Sequence, residues 1–360
     1  MKIVSKIVLT GGPCAGKTTI IDKIRDYLID KGYNVFIVSE TATEVINSGI
    51  KPFGDNPLDT LSFQRIIFSQ QLNKENSVIE AIKSYKEGNA IIIFDRGILD
   101  NKAYMSDEQF STLLEEFNLT ELDICNRYDS IIHLNTAALL EEGYTLENNK
   151  ARSESKEEAI NLDKKTYNAW NLHSKLYSVK PEEELNIKVK NVFDIIDLEI
   201  CKKVKQSKYI VDINDLSFLS ETNIEKQLIE QFYLVTDDLK EIRIRKIKHK
   251  DSIKYELSEK YETTSTNIRK QTIKEIDEQT YEKFKSEADN IIYKTRYNFT
   301  FNYQHLSLDI FDKNNLVILE SNNDSVDLPN NIGILKDVSN DINYRNANLK
   351  FGNDKILCYS

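Results

Sequence analysis

The sequence predicts two units, an α/β unit with a parallel sheet followed by an α+β unit with an antiparallel sheet. Short apolar runs alternate with helical patterns through the first half of the chain, which is typical of a parallel sheet with helices on both faces. Closely spaced, alternating strand patterns follow residue 204 and favour an antiparallel sheet or barrel. A length of 360 residues fits two domains, and we predict them at 1–203 and 204–360.

Five strands separated by helices are predicted in the first unit. The strands are Ile7–Leu9, Val35–Val38, Ala90–Phe94, Ser130–Leu134 and Leu176–Val179. The helical patterns include Thr19–Leu28, Leu61–Lys86 and residues 182–206. Ligands of such sheets bind at the carboxyl ends of the strands, so the polar residues that follow each strand are the candidate site residues.

The segment LTGGPCAGKTT after the first strand matches the Walker A pattern in full. Its glycines let backbone N–H groups curl around an oxyanion, and the following helix N-terminus adds a partial positive charge. Lys17 is expected to reach the β- and γ-phosphates, and the Thr18 hydroxyl is expected to ligate Mg²⁺. The predicted nucleotide-binding residues are Gly11, Gly12, Pro13, Cys14, Ala15, Gly16, Lys17, Thr18 and Thr19.

Three further residues are predicted to act with Lys17 in catalysis. Asp95 ends an apolar strand, as a Mg²⁺-binding Walker B acid does, although a structural pair with Arg96 is the alternative. Glu40 follows the second strand and is either a base for a substrate hydroxyl or a helix-capping surface acid. Arg152 lies in a polar segment that is either a lid that neutralises the transferring phosphate or an ordinary solvent loop.

Composition excludes several other classes of protein. The net charge of −10 argues against nonspecific nucleic-acid binding. Four cysteines without paired spacing argue against a zinc site and a disulfide framework, and suit a reducing cytosol. No apolar run has the length of a membrane span, and the N-terminus lacks a signal-peptide layout. Trp170 is expected to pack a helix on the sheet, and His173 to cap a helix or face solvent.

The strands of the second unit carry cations at alternating positions. Arg243 and Arg245 are two residues apart, as are Lys294 and Arg296, so each pair faces one side of a sheet. The predicted anion-binding residues are Arg243, Arg245, Lys260, Arg269, Lys294 and Arg296. A solvated face with cross-strand Glu–Lys pairs is the alternative. Asp309 and Glu320 are expected to hold a metal or to balance the arginines.

Both halves resemble known families. LTGGPCAGKTT, VSETATEVI, FDRGILDNKAY and YTLENNKARSESKEEAINLDKKTYNAW together resemble the NadR-like P-loop kinase domain, which is related to nicotinamide-riboside and deoxynucleoside kinases. QFYLVTDDLKEIRIRKI, YKTRYNFTFNY and LDIFDKNNLVILE resemble a CYTH domain, the triphosphate-tunnel fold. The two in this order resemble the TRPL translocation-defect proteins. The fold implied is a P-loop parallel-sheet domain followed by a CYTH-like tunnel barrel.

The resemblance implies two functions that the sequence does not separate. One is a P-loop kinase or NTPase that uses Mg²⁺ with ATP or GTP, with a tunnel that binds a phosphorylated small molecule. The other is a non-catalytic GTP- and phospholipid-binding regulator of membrane-protein trafficking, cytoplasmic and peripheral at membranes. No guanine-reading Asn-Lys-x-Asp motif is present, so the preferred nucleotide stays open.

The tunnel departs from the family pattern in its acidic motif. Active tunnel enzymes carry Glu-x-Glu-x-Lys on the first strand. If Lys208 is the motif lysine, Val204 and Gln206 occupy the acid positions; if the motif uses Glu199 and Lys203, Cys201 replaces the middle acid. Either way an acid is lost, so triphosphate hydrolysis in the tunnel is not expected and ligand binding is favoured.

Overall fold

The computed structural model describes residues 1–140, 155–182, 184–215, 224–236, 240–261, 268–313, 316–323 and 325–349. The chain divides into two compact units, Met1–Ile200 and Cys201–Ser360. Within the described ranges, every helix is too short or too polar to cross a bilayer.

The first unit contains a five-stranded parallel sheet, as the alternating pattern predicted. Its strands are β1 (Lys2–Gly11), β2 (Asn34–Val38), β3 (Asn89–Asp95), β4 (Ser130–Leu134) and β5 (Leu176–Val179), in the order β2-β3-β1-β4-β5. Residues 90–94 of β3 are all buried, because helices cover both faces of the sheet. The loops that follow β1, β2, β3 and β4 therefore begin at one edge of the sheet.

Four of the seven helices described in this unit, the third to the sixth, begin at side-chain caps. They are α1 (Lys17–Asp30), α2 (Thr41–Asn47), α3 (Thr60–Ser84), α4 (Asp107–Glu116), α5 (Glu121–Cys125), α6 (Lys156–Asn168) and α7 (Leu185–Ile200), with 3₁₀ turns at Ile98–Tyr104 and Ala137–Leu139. Asp59 caps α3, and Ser155 forms a reciprocal capping box with Glu158 at α6. The predicted helix over 182–206 was too long, because residues 203–205 form a strand instead.

Helices α1 and α7 pack side by side against the sheet. Their buried aliphatic side chains join those of β1, β3 and β4 in one core. At the helix contact, the rings of Tyr27 and Phe193 stack with 3.9 Å between centroids. This packing fixes the start of α1, and with it the loop between β1 and α1.

The second unit contains a ten-stranded sheet with antiparallel neighbours, which confirms the predicted antiparallel pattern. Its strands are β6 (Lys203–Lys205), β7 (Ser207–Ile213), β8 (Glu225–Thr236), β9 (Lys240–His249), β10 (Ser252–Tyr261), β11 (Ile268–Glu275), β12 (Ile291–Phe301), β13 (Gln304–Phe311), β14 (Val317–Ser321) and β15 (Ile332–Asp337). The order is β15-β7-β14-β13-β12-β8-β9-β10-β11-β6. The predicted strands are present, and β6 and β15 are additional.

The two faces of this sheet differ in polarity. Helix α8 (Glu278–Ser286), capped by Asp277, packs through Tyr281 on an apolar face that includes Phe232 and Ile244. Arg243 and Arg245 flank Ile244 in β9 and therefore point to the opposite face. That opposite face carries five of the six predicted cations, namely Arg243, Arg245, Lys260, Lys294 and Arg296.

Candidate functional site

The loop between β1 and α1 requires glycine at its first two positions. Gly11 has φ +148°, and a Cβ there would lie 2.2 Å from the carbonyl oxygen of Leu134. A Cβ on Gly12 would lie 2.6 Å from an Asp163 carboxylate oxygen. Gly16 has φ +79° and immediately precedes α1. The loop backbone is therefore packed tightly on one side and opens at the N-terminus of a helix.

Lys17 lies at the first position of α1 and reaches back over the loop. Its ammonium is 3.4 Å from the carbonyl oxygen of Gly11. Burial and the nearby Arg96 guanidinium lower the pKa of Lys17 to about 8, although Glu40 and Asp95 oppose that shift. The lysine is thus a cation held close to two carboxylates, in reach of an anion that enters the loop.

Asp95 ends β3 beside Leu9 of β1, next to the loop. Burial raises the pKa of this carboxyl, and its Oδ1 is buried without a hydrogen-bond partner among the described residues. A buried carboxylate oxygen without a partner fits a magnesium-bound water or a magnesium ion. The exposed Thr18 side chain supplies the second predicted ligand. No cluster of three or more His, Cys, Asp or Glu with metal-binding geometry occurs in the described part of the chain.

Arg96 connects the turn after β3 to the loop and to β2. Its φ of +72° is unusual for a residue with a side chain. The guanidinium binds Glu40 at 2.5 Å and the Gly11 carbonyl at 3.2 Å, and lies 3.6 Å from Asp100. The Gln71 amide donates to the Arg96 carbonyl at 3.0 Å. Arg96 therefore pairs with Glu40 rather than with its neighbour Asp95, the structural pair considered above.

Glu40 immediately precedes α2 but makes no side-chain capping bond there. Burial opposes ionisation, yet Arg96 and Lys17 lower the pKa of Glu40 to about 2. A hydroxyl of Thr43 also donates to it at 2.6 Å. The carboxylate is thus permanently ionised near neutral pH, which suits it to accept a hydrogen bond more than to take up a proton.

A buried hydrogen-bond cluster supports the turn after β3. The Asp100 carboxylate accepts from the Thr10 hydroxyl and from the Trp170 indole, each at 2.6 Å. Trp170 also packs on Gly97, where a Cβ would lie 2.5 Å from its ring. His173 is buried, with Nε2 3.2 Å from the Tyr128 carbonyl oxygen, so the expectation of a capping or solvent-exposed histidine was wrong.

A second buried cluster lies on the other side of the loop. An Asp163 oxygen from α6 accepts from the Gly12 N–H at 2.7 Å and lies 3.1 Å from His133 Nε2 in β4. Lys188 from α7 donates to the carbonyls of Ala15 and Asn135, both at 3.0 Å. Helices α6 and α7 therefore touch the loop directly.

In the second unit, part of the predicted cation set is neutralised by buried acids. Asp309 accepts from Lys294 at 2.5 Å and from Arg296 at 2.6 and 2.7 Å. Glu320 binds Arg296 at 2.5 Å and Lys208 at 2.9 Å. Burial would raise the pKa of Asp309, but Arg296 and Lys294 hold it below its usual value. These acids balance the cations, one of the two roles expected for them.

The other part of the set is compensated less directly, by Glu256 opposite Arg245 and Glu241 opposite Lys260. Arg243 donates to the Ser258 hydroxyl at 3.1 Å and Arg245 to the Gln231 amide oxygen at 3.3 Å. Neither they nor Lys260 form an ion pair with a described carboxylate. Burial, Arg243 and Arg296 lower the pKa of Arg245 to about 9, and burial and Arg243 lower that of Lys260. This end of the polar face is cationic.

The structure brings together Lys17, Glu40 and Asp95 of the predicted catalytic set. Arg152 lies outside the described residues. The backbone of Arg269 lies in β11, where its register with β6 is described, but its side chain lies outside the described set. Residues that the sequence did not assign to the site are Arg96, Asp100, Asp163, Trp170 and Lys188. Arg96 and Asp100 lie in the quoted segment FDRGILDNKAY, whereas nothing in the sequence marked Lys188.

Comparison with solved structures gives distant similarities. A protein from Pyrococcus horikoshii OT3 is 15% identical, covering 36% of this chain and 80% of that chain with a TM-score of 0.29. A conserved hypothetical protein from Pyrococcus furiosus is 24% identical, covering 36% and 81% with a TM-score of 0.27. Thymidylate kinase from Ehrlichia chaffeensis is 18% identical, covering 54% and 100% with a TM-score of 0.38.

Comparison with sequence families is more decisive. No curated protein matches the chain. A family model described as an AAA domain matches residues 6–185, which is half of the chain. The match includes the phosphate loop, Glu40, Asp95 and Arg96. The chain therefore belongs to the AAA-domain family, with a nucleotide-binding P-loop domain in its first unit.

Proposed function

We propose that the first unit binds ATP or GTP with Mg²⁺ and transfers or hydrolyses the γ-phosphoryl group. The observation that carries this proposal is the convergence of Lys17, Glu40 and Asp95 at the loop, with one buried Asp95 oxygen left without a described partner. Magnesium, held by Thr18 and Asp95, would supply charge neutralisation at the phosphates. The remaining chemistry belongs to the side chains of this chain.

The side chains have separate roles in this proposal. Lys17 binds the β- and γ-phosphate oxygens, because its ammonium already lies above the loop. Glu40 accepts a hydrogen bond from the attacking hydroxyl or water, and Arg96 holds it ionised in place. A base of such low pKa suffices, because phosphoryl transfer passes through a loose transition state in most analyses. Arg152 is proposed to neutralise the transferring phosphate as part of a lid.

The second unit is proposed to be a CYTH-like domain that binds a phosphorylated ligand on its polar face. Support comes from Arg243, Arg245 and Lys260, which form no ion pair with a described carboxylate, although Glu256 and Glu241 lie opposite Arg245 and Lys260. Phosphate oxygens would supply the missing negative charge. The ligand is either a phosphorylated small molecule or the headgroup of an anionic phospholipid.

Triphosphate hydrolysis is not proposed for this second site. Lys208 lies in β7 whereas Glu199 lies in α7, which favours the register that places Gln206 at an acid position. Gln206 donates an amide N–H to Glu320 at 2.9 Å, and Glu320 also binds Lys208 and Arg296. An acid that is already bound by two cations and an amide is poorly placed to bind a metal.

The same observation favours a second candidate function. A cationic face without its metal-binding acids suits ligand binding rather than turnover, so the chain is alternatively a GTP- and phospholipid-binding regulator of membrane-protein trafficking. In that case nucleotide would control binding at the second unit, and the protein would associate peripherally with membranes. Such control requires two states with different affinities for the two ligands.

One experiment distinguishes these functions. Phosphate release and phosphoryl transfer from ATP and GTP with Mg²⁺ would be measured for the wild type, Lys17→Ala and Lys23→Ala, with and without phosphatidic-acid vesicles. Lys23 is the matched control, because it is an exposed lysine on the same helix. We expect Lys17→Ala to lose at least about 100-fold in turnover and Lys23→Ala to keep it. Tight nucleotide binding without turnover under every condition would exclude the enzyme and leave the regulator.

A further inference from the structure

Two backbone N–H groups of the phosphate loop are left without acceptors. These are the N–H groups of Ala15 and Gly16, for which the described residues provide no hydrogen-bond acceptor. By contrast, the N–H of Gly12 is already bound by Asp163. The donors left for a phosphate therefore lie in the second half of the loop, next to Lys17 at the start of α1.

The carbonyl oxygens of that half are held from outside the loop. Lys188 donates to the Ala15 carbonyl at 3.0 Å, and the Ala137 N–H donates to the Cys14 carbonyl at 3.4 Å. The Thr136 hydroxyl donates to the Pro13 carbonyl at 2.5 Å. Three successive carbonyls thus bind groups from two elements, the segment after β4 and helix α7.

Peptide geometry connects these carbonyl contacts to the N–H groups. In a planar trans peptide the C=O and the next N–H point in opposite directions. The Ala15 carbonyl shares its peptide with the Gly16 N–H, and the Cys14 carbonyl shares its peptide with the Ala15 N–H. The hydrogen bonds hold the carbonyls of Cys14 and Ala15 towards the segment after β4 and towards α7. The N–H groups of Ala15 and Gly16 therefore point the other way, where successive N–H groups form an anion-binding concavity.

Lys188 is unusual enough to need an explanation. Its side chain is 6% exposed and donates to the carbonyls of Ala15 and Asn135, and among the described residues it forms no ion pair with the nearby Asp163 and Glu182. Burying an ammonium in this way is costly. Thr136 is equally constrained, since its hydroxyl also accepts from the Ala138 N–H at 3.2 Å while it donates to Pro13. Lys188 thus acts on the Gly16 peptide directly. Thr136 acts one peptide further back, at the Pro13 carbonyl, and also caps the turn whose Ala137 N–H binds the Cys14 carbonyl.

We propose that Lys188 and Thr136 are positioning residues that hold the loop peptides in the phosphate-binding orientation before the nucleotide arrives. The role is preorganisation: the N–H groups need no reorientation when phosphate binds, so the affinity is not reduced by that cost. The inference rests on nucleotide binding at this loop, as proposed above. It adds two residues that do not touch the nucleotide but act through the backbone.

The test compares Thr136→Val, Thr136→Ser and Lys188→Met with the wild-type full-length protein. Thr166→Val is the matched control, because Thr166 is a buried threonine whose hydroxyl donates to the Leu162 carbonyl, away from the loop. Dissociation constants for Mg·ATP and Mg·GTP would be measured by calorimetry beside the melting temperature. We expect Thr136→Val and Lys188→Met each to weaken binding about tenfold, the usual worth of one hydrogen bond. Thr136→Ser should restore wild-type affinity, and Thr166→Val should leave it unchanged.

The outcomes separate this inference from the proposed function. If the wild type binds neither nucleotide, both fail together. If the wild type binds and Thr136→Val and Lys188→Met bind equally well, only the positioning role is overturned. A lower melting temperature with unchanged affinity would likewise assign these residues to folding alone. Should Lys188→Met fail to fold, the contrast between valine and serine at position 136 decides the question.

Discussion

The two units carry candidate anion-binding sites that are built in different ways. In the first unit, Lys17 and Arg96 lie among three carboxylates, those of Glu40, Asp95 and Asp100, so the cations are compensated and further donors come from the loop backbone. On the polar face of the second unit, cations outnumber the acids that reach them, and the excess charge lies on three side chains, Arg243, Arg245 and Lys260. The first site depends on backbone orientation, and the second on charge.

This difference between a backbone-dependent and a charge-dependent site predicts which substitutions each unit tolerates. We expect a site that depends on backbone donors to lose affinity when the geometry of one peptide changes, and a cationic face to lose affinity gradually as cations are removed. Buried ion pairs, such as those of Asp309, are expected to stabilise the second unit, while the neighbouring cations without an ion pair are proposed to bind the ligand. Measurements on each unit separately are practical, because the only tryptophan of the chain, Trp170, lies in the first unit.

The largest effect is expected from Asp309→Ala. The change leaves Lys294 and Arg296 buried without their shared carboxylate, and breaking a buried ion pair from one side costs about 3–5 kcal/mol. Urea unfolding followed by circular dichroism should show this loss, while Trp170 fluorescence reports the first unit. An unchanged unfolding free energy would mean that the acid does not support the second unit.

Arg245→Met is the matched control for that variant. It removes a cation that forms no ion pair, and Glu256, which faces it, keeps its ion pair with Lys254, so the free energy of unfolding should stay within about 1 kcal/mol of wild type. Its affinity for inorganic tripolyphosphate should fall instead. If Asp309→Ala and Arg245→Met lower the free energy of unfolding equally, the distinction between cations with and without an ion pair is wrong.

A smaller effect is expected from Glu40→Gln, and it depends on pH. The pKa of Glu40 is about 2 in the folded state against an ordinary 4.5, so its contribution is present above pH 4.5 and is lost as pH falls towards 2. This difference between the folded and ordinary pKa values corresponds to a contribution of about 3 kcal/mol at most to the free energy of unfolding. The free energy of unfolding, followed by Trp170 fluorescence, should therefore be higher for the wild type than for the variant at pH 7. The two values should become equal near pH 2. A constant difference across that range would assign the effect to packing.

The smallest effect is expected from Thr10→Val. The change removes the hydroxyl that donates to buried Asp100, and a hydrogen bond to a charged group contributes about 1.5–3 kcal/mol, reduced here because Trp170 still donates to the same carboxylate. We expect a loss of about 1.5 kcal/mol by Trp170 fluorescence. Thr112→Val, which removes an exposed hydroxyl bond to Glu108, should change the free energy of unfolding by less than about 0.5 kcal/mol.

Much of the fold could be predicted from the local sequence pattern of strands and helices. The predicted strands 130–134 and 176–179 match β4 and β5 residue for residue. Every residue of β4 is buried, as expected of a strand covered on both faces. Strand β6 was read as the end of a helix, since its pairing with β11 is a contact between distant residues. Local propensity carries no information about such a partner.

The residues of the candidate site could be predicted where they belong to a sequence motif. Spacing alone identified Lys17 and Thr18, and the end of an apolar strand identified Asp95. Lys188 could not be identified in this way, because a lysine in a helical segment ordinarily faces solvent. Its role follows only from the packing of α7, which brings its ammonium to the loop carbonyls.

Arg96 has a consequence for how this sequence can vary. A side chain at φ +72° carries backbone strain on the order of 1 kcal/mol. Glycine would relieve that strain but would delete the guanidinium that binds Glu40 and the Gly11 carbonyl. Any other residue would lose those contacts and keep the strain. Position 96 therefore has no neutral replacement, and a complete substitution scan should find it less tolerant than most buried positions of the sheet.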